Sequence, residues 1–188
     1  MTVDWETAVR DVERVAALHD SGLLGTGPEE EFDRLVELAV KLTGATCSCI
    51  TLVDAEMVSC KSSIGLPQSM PLRLGVIDTF CRYVVGSRRP FVVDDAVEDS
   101  RVFDDPVTSN FGIGAWAGYP ITDPDGYTLG TLCVIDIHSH AWTEVDILVL
   151  ATLAKAVSTE IALRKSRDAL LRVRGELEDL RRQARPPM

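Results

Sequence analysis

Five cysteines, Cys47, Cys49, Cys60, Cys81 and Cys133, carry the widest chemical repertoire in this 188-residue chain. A thiolate is a nucleophile, a redox centre or a soft metal ligand. Their spacing narrows the choice, because no Cys-x-x-Cys occurs and the three histidines offer no zinc spacing with them. An odd number of cysteines without a secretion signal implies a reduced compartment, where buried free thiols behave as small hydrophobes. The acidic cluster Asp94, Asp95, Glu98, Asp99, Asp104 and Asp105 fits no EF-hand loop and reads as solvated surface. No phosphate-binding Gly-rich loop, Gly-x-Ser-x-Gly elbow, or kinase or cyclase signature occurs. No metal, cofactor or catalytic residue is expected.

Composition bounds the rest. A chain of this length with 46% apolar residues can bury one good core. It is too short for a sensor plus a catalytic output domain. Residues 161–188 hold eight Lys/Arg against four Asp/Glu, a net of +4, which leaves −14 of the overall −10 on the first 160 residues. An acidic body argues against nucleic acid as a partner, and the basic tail reads as a solvated helix face. No run of 18 apolar residues spans a membrane, and Met1-Thr-Val-Asp-Trp-Glu6 lacks the features of a signal peptide. The expected location is cytoplasmic, with no membrane partner.

Periodicity and breakers place the elements. Asp4 to Leu18 reads as a helix capped by Asp4, with Val9, Val12, Val15 and Ala16 on one stripe. Pro28 opens a second helix, in which Phe32, Leu35, Val36, Ala39 and Leu42 recur until Gly44 stops it. Strands are expected at about 46–53 and 57–63, with Cys47 and Cys49 on one face of the first. A loop through Pro67 and Pro71 leads to a short helix near 77–86 and a strand at 91–94. The acidic stretch 99–106 reads as a loop or short helix. Trp116-Ala-Gly-Tyr-Pro-Ile121 and Tyr127-Thr-Leu-Gly-Thr-Leu-Cys-Val-Ile-Asp136 flank Asp123-Pro-Asp-Gly126, a hairpin signal. A long helix begins at Trp142. This order describes an α+β domain, an antiparallel sheet with helices packed on it.

Over about residues 20–163 the order and wording of these pieces resemble the GAF domain, a small-molecule-sensing module of bacterial signalling proteins. The pieces are the Gly22-Leu-Leu lead-in, Thr51-Leu-Val-Asp54, Lys61-Ser-Ser-Ile-Gly-Leu66, Phe80-Cys81 and Gly130-Thr-Leu-Cys-Val-Ile-Asp136. The resemblance divides the chain into an N-terminal helix at 1–19, a GAF domain at 20–163 and a helical extension at 164–188. It implies a ligand pocket on one sheet face, lined by Ser62, Thr79, Cys81, Asp94, Phe111, Trp116, Tyr119 and Thr131. The plainer reading of Phe111, Trp116 and Tyr119 is as core aromatics. Members that bind cyclic nucleotides carry an Asn-Lys-x-x-Phe motif, and no Asn-Lys occurs here. Bilin-binding members attach the pigment to a Cys followed by His, whereas Cys81 precedes Arg82, Cys60 precedes Lys61 and Cys133 precedes Val134. Haem needs an axial ligand, and His138 and His140 lie past the last strand while His19 lies near the first helix. The alternative within the fold is a thiol-based redox enzyme or sensor of the free methionine sulfoxide reductase type. It would use Cys81 at the start of a short helix, its thiolate aided by the helix dipole and Arg82.

The C-terminal helix carries a second pattern. Leu163, Leu170 and Leu177 lie seven apart, with Val173 and Leu180 at alternate positions, the seam of a short parallel coiled coil between two copies. The plainer reading is a helix packed only on its own sheet, as its first half is expected to be. Gly175 weakens the seam by about 1 kcal/mol relative to Ala. A homodimer therefore needs further area from the domain body, with the N-terminal helix as one source. In resembling proteins this helix drives a kinase, phosphatase or cyclase, and here the sequence reaches Arg185-Pro-Pro-Met188 without one. Either the output is a separate partner or the chain is a fragment. The reading is a non-catalytic sensor that binds an unidentified small molecule or a protein partner.

Overall fold

The computed structural model describes residues 4–68 and 70–183. The outer ends of the 1–19 and 164–188 segments, including Arg185-Pro-Pro-Met188, lie outside the described residues. Helices α1 (Trp5–Val9), α2 (Val12–Asp20) and α3 (Glu30–Thr43) precede strands β1 (Cys47–Val53), β2 (Met57–Ile64) and β3 (Arg73–Gly75). A 3-10 turn at Val76–Asp78, α4 (Cys81–Ser87), β4 (Phe91–Val93) and α5 (Pro106–Phe111) follow. Strands β5 (Ala115–Thr122) and β6 (Thr128–Asp136) lead into α6 (Glu144–Gln183). All six strands form one antiparallel sheet in the order β3-β2-β1-β6-β5-β4.

The sheet divides two apolar cores. On one face, Ile50, Leu52, Leu132 and Val134 pack with Phe32, Val36 and Ala39 of α3 and with Leu150, Val157 and Ile161 of α6. On the other, Cys49, Val53, Cys133 and Trp116 pack with Val9 of α1 and with Phe80, Cys81, Val84 and Val85 around α4. Strand alternation produces this division, and both central strands are buried on their two faces. Helix α6 is 40 residues long, about 60 Å at 1.5 Å per residue. Its last buried residue is Ile161, and beyond that point Leu163, Leu170, Val173, Leu177 and Leu180 all stand exposed. Among the described residues no helix is long and apolar enough to cross a membrane.

Several expected boundaries are corrected. The single helix over Asp4–Leu18 is two helices, because the Asp11 side chain accepts from the Arg14 backbone N–H and caps a new start. Val12 consequently turns out to solvent at 81% exposure, off the apolar stripe. The second helix begins at Glu30 rather than at Pro28, and its Leu42 is exposed. Gly44 does stop it, in the left-handed conformation at φ 71°. The three-residue edge strand β3 lies in what reads as loop, and the short helix expected at 77–86 is the 3-10 turn followed by α4.

Burial of Arg14, at 3% exposure, is the consequence of that helix break. Its guanidinium donates to the carbonyls of Val9, Val53 (2.6 Å) and Thr128 (3.4 Å), joining the α1 end to the ends of two strands. Arg14→Met leaves these acceptors without their donor, at about 1 kcal/mol or more for each buried group. Urea denaturation should show a stability loss of about 2–4 kcal/mol.

Candidate functional site

A cavity of about 70 Å³ lies on the α4 face of the sheet. Its floor is Cys49 and Thr51 of β1, Trp116 of β5 and Cys133 of β6. Thr79, Cys81, Phe111 and Ile113 line it from the helix side, and the loop residues Leu66, Met70, Pro71 and Leu72 also border it. Gly118 makes room for the floor. A Cβ there would sit 2.1 Å from the Trp116 indole, so only glycine lets the ring lie along β5. Phe80 meets that indole edge-on at 5.9 Å between ring centroids.

Four of the five thiols line this space, Cys49, Cys60, Cys81 and Cys133. Cys49 and Cys133 are cross-strand partners with sulfurs 3.2 Å apart. Cys81 Sγ lies 3.3 Å from Thr51 Oγ1 and 3.4 Å from Thr131 Oγ1, and the two hydroxyls are 2.8 Å from each other. The contact with Cys133 and burial push the Cys81 thiol well above its ordinary value of 9.0. The contact with Cys49 does the same to Cys133, with burial adding to it. The contact with Cys133 pulls Cys49 downward, yet burial and the neighbouring thiols leave it raised. Burial also raises Cys60. The cavity wall therefore presents neutral S–H groups at physiological pH. Among the described residues no three His, Cys, Asp or Glu side chains are arranged to hold a metal ion.

Two buried ion pairs position the surroundings. Arg82 pairs with Asp105 and donates to the carbonyls of Ile77 and Thr79 at 2.6 Å each, while Tyr83 Oη donates to Asp105 at 2.8 Å. Asp105 also caps α5, so this cluster holds α4 and α5 on either side of the cavity. Arg82 is thus committed to Asp105 and the backbone rather than to a Cys81 thiolate. On the opposite face, Lys61 has a side chain only 1% exposed and donates to Thr26, Gly27 and Glu29, each at 2.6 Å. It is the extra residue of a β-bulge, since Ile50 pairs with Ser62 and Thr51 with Cys60. Glu29 in turn accepts two bonds from Arg164 of α6, at 2.9 and 2.5 Å. Burial alone would raise Glu29, but the hydrogen bonds from Lys61 and Arg164 outweigh it and hold its carboxyl below the usual range.

The structure brings Thr79, Cys81, Phe111 and Trp116 together at the cavity wall. Thr131 stands behind the wall, fully buried and bonded to Thr51 and Cys81. Three expected lining residues belong elsewhere. Tyr119 lies in the α6-side core, three residues from Trp116 and so on the other face of β5. Ser62 donates to Asp33 of α3 on that same side. Asp94 accepts from the backbone N–H of Trp142 and fixes the approach to α6. The lining that sequence reasoning missed includes the thiols Cys49, Cys60 and Cys133 and the loop residues Leu66, Met70, Pro71 and Leu72. For Cys49 and Cys133 the signal was available, since each lies two residues from Thr51 or Thr131 along its strand.

Comparison with known proteins follows the same outline. The family model described as the GAF domain matches residues 27–161. A cyclic di-GMP phosphodiesterase of Pseudomonas aeruginosa is 32% identical over 151 residues, covering 79% of this chain and 25% of that enzyme. The chain thus spans about a quarter of the length of this curated relative. Among solved structures, the free methionine-R-sulfoxide reductase of Neisseria meningitidis superposes with a TM-score of 0.60 at 18% identity, covering 81% of this chain and 89% of that one. The GAF domain of an Acinetobacter phosphoenolpyruvate-protein phosphotransferase does so with a TM-score of 0.58 at 15% identity, covering 86% and 94%. At these identities the two structures establish the shared fold.

Protonated, buried thiols have measurable consequences. Iodoacetamide at neutral pH should label Cys81 and Cys133 at least about tenfold more slowly in the native chain than in the urea-unfolded one. Burial, aided by Asp136, pushes the Cys47 thiol up to about 11 from its ordinary 9.0. A raised folded value contributes stability that is complete below pH 9 and is lost as pH rises through about 11. Melting temperatures should therefore fall over that window, and fall less in Cys47→Ala.

Proposed function

The chain belongs to the GAF domain family, and on that premise we propose that it is a non-catalytic sensor domain of bacterial signal transduction. A small molecule held against Trp116 is the input, and the state of α6 is the output. The observation that carries this reading is the pairing of a largely apolar cavity with a helix that continues past the domain body. The link between them is physical. Cys60, which borders the cavity, precedes the bulge residue Lys61, and Lys61 reaches α6 through Glu29 and Arg164.

The thiol chemistry favours a binding role over a reductase role for Cys81. A nucleophilic cysteine needs an accessible thiolate, and Cys81 is 3% exposed with its thiol held protonated. The cation next to it in sequence, Arg82, is paired with Asp105. The relative's phosphodiesterase activity belongs to an enzyme four times the length of the matched region. In this reading the partner of α6 is a signalling output of that kind, or a kinase, phosphatase or cyclase, in the same protein or in a separate one.

The exposed seam of Leu163, Leu170, Val173, Leu177 and Leu180 supports a homodimer formed by two parallel copies of α6. Sedimentation of the full chain should show a dimer. Truncation after Ile161 and the variant Leu170→Glu should each weaken association at least about tenfold, in line with the loss of a buried apolar anchor. A truncated chain that dimerises as before would remove the helix from the output role.

A further inference from the structure

Resting on the sensor reading, we infer that the cavity selects a small, uncharged, apolar molecule of about one ring system and refuses anionic ligands, cyclic nucleotides and dinucleotides included. The wall chemistry comes first. Cys49, Cys81 and Cys133 contribute neutral sulfur, and Phe111, Ile113 and Trp116 contribute hydrocarbon and aromatic surface. Its inner hydroxyl, Thr51 Oγ1, is already engaged by Thr131 and Cys81. Thr79 Oγ1 donates to the Val76 carbonyl at 3.3 Å, so it retains only acceptor capacity toward a ligand.

Charge decides the class. Among the described residues no Lys or Arg lines the cavity, and the one carboxylate at its edge, Asp78, is negative. Both buried cations nearby are committed: Arg82 to Asp105 and two carbonyls, and Lys61 to Glu29 on the opposite face of the sheet. A phosphate or carboxylate entering here would lose its hydration and gain no counter-charge, a desolvation that apolar contacts do not offset. Size agrees with charge. About 70 Å³ is roughly half the ~150 Å³ of an apolar cavity that takes benzene, so one small ring, admitted with some give in the wall, is the upper bound and a nucleotide is far too large.

The test uses the full chain and matched probes: toluene and indole as neutral ligands, benzoate as a ring of similar size bearing a charge, and cyclic GMP and cyclic di-GMP. Melting temperature reports binding, and ¹³C-methyl resonances of Ile113 and Ile135 report its place, with Leu150 and Val157 in the opposite core as controls. Toluene or indole should raise the melting temperature by several degrees at saturation and shift the Ile113 and Ile135 methyls selectively. Benzoate and both nucleotides should do neither. An anion that shifts the same methyls with an equal or larger thermal gain overturns the ligand class and leaves the sensor reading standing. If no probe moves either observable, the cavity is a sealed packing defect, and the ligand class falls together with the sensor reading.

Discussion

Strands β1 and β6 are covered on both faces, and this double burial constrains the rest of the molecule. Each side chain along them must enter one core or the other, and the pleat decides which. Ile50, Leu52, Leu132 and Val134 go to the α3 and α6 side, while Cys49, Thr51, Thr131 and Cys133 go to the α4 side. Pairing of Cys49 with Cys133 and Thr51 with Thr131 then brings small, weakly polar groups to the middle of the sheet. Small side chains at the centre, with large aromatics around them, leave the space that becomes the cavity. Gly130 allows the close approach of the two strands, since a Cβ there would lie 1.8 Å from the Thr51 carbonyl oxygen. A slip of one residue would exchange the two cores.

Buried cations serve as fasteners rather than as chemical groups. Arg14 and Arg82 satisfy carbonyls left over at or near the ends of helices and strands, and Lys61 satisfies one in the loop before α3. Arg14 joins the broken N-terminal helix to the ends of β1 and β6, and Arg82 joins the turn before α4 to α5. Each is multiply bonded, so removing one would orphan several acceptors together. Engaging Arg82 and Lys61 in this way is also what keeps the nearby buried cations from supplying positive charge to the cavity.

Much of the architecture was legible from periodicity, because alternation and helical spacing follow from burial. The hairpin at Asp123–Gly126, the stop at Gly44 and the long last helix all rest on such signals. The site was less legible, for reasons that particular residues make plain. Trp116 and Tyr119 look like one aromatic motif, yet an interval of three in a strand sends them to opposite faces. The acidic run from Asp94 to Asp105 reads as solvated surface, but its members close turns. Asp95 accepts from Val97, Asp99 pairs with Arg101, and Asp105 is the buried partner of Arg82. Lys61 stood in one of the motif pieces, but its burial and that of Arg14 had no sequence signal, since they depend on a bulge and a helix break whose carbonyls face inward only after folding.

On the sensor reading, the modest strength of the α6 seam is what makes it a usable output. Two heptads interrupted by Gly175 would form a weak coiled coil, with the glycine alone removing about 1 kcal/mol. Coupling energies between distant sites are typically about 1–3 kcal/mol, so only an equilibrium balanced within that range responds to them. Arg164 sits where α6 leaves the domain, one residue past Leu163, the first residue of the seam. The two bonds from Arg164 to Glu29, and from there to the Lys61 bulge beside the cavity, set the starting direction of the projecting helix. A shift of β2 on ligand entry would act on this buried network rather than on screened surface charges. The helix end beyond would then amplify a small displacement along a rigid lever, and a more stable seam would resist that displacement.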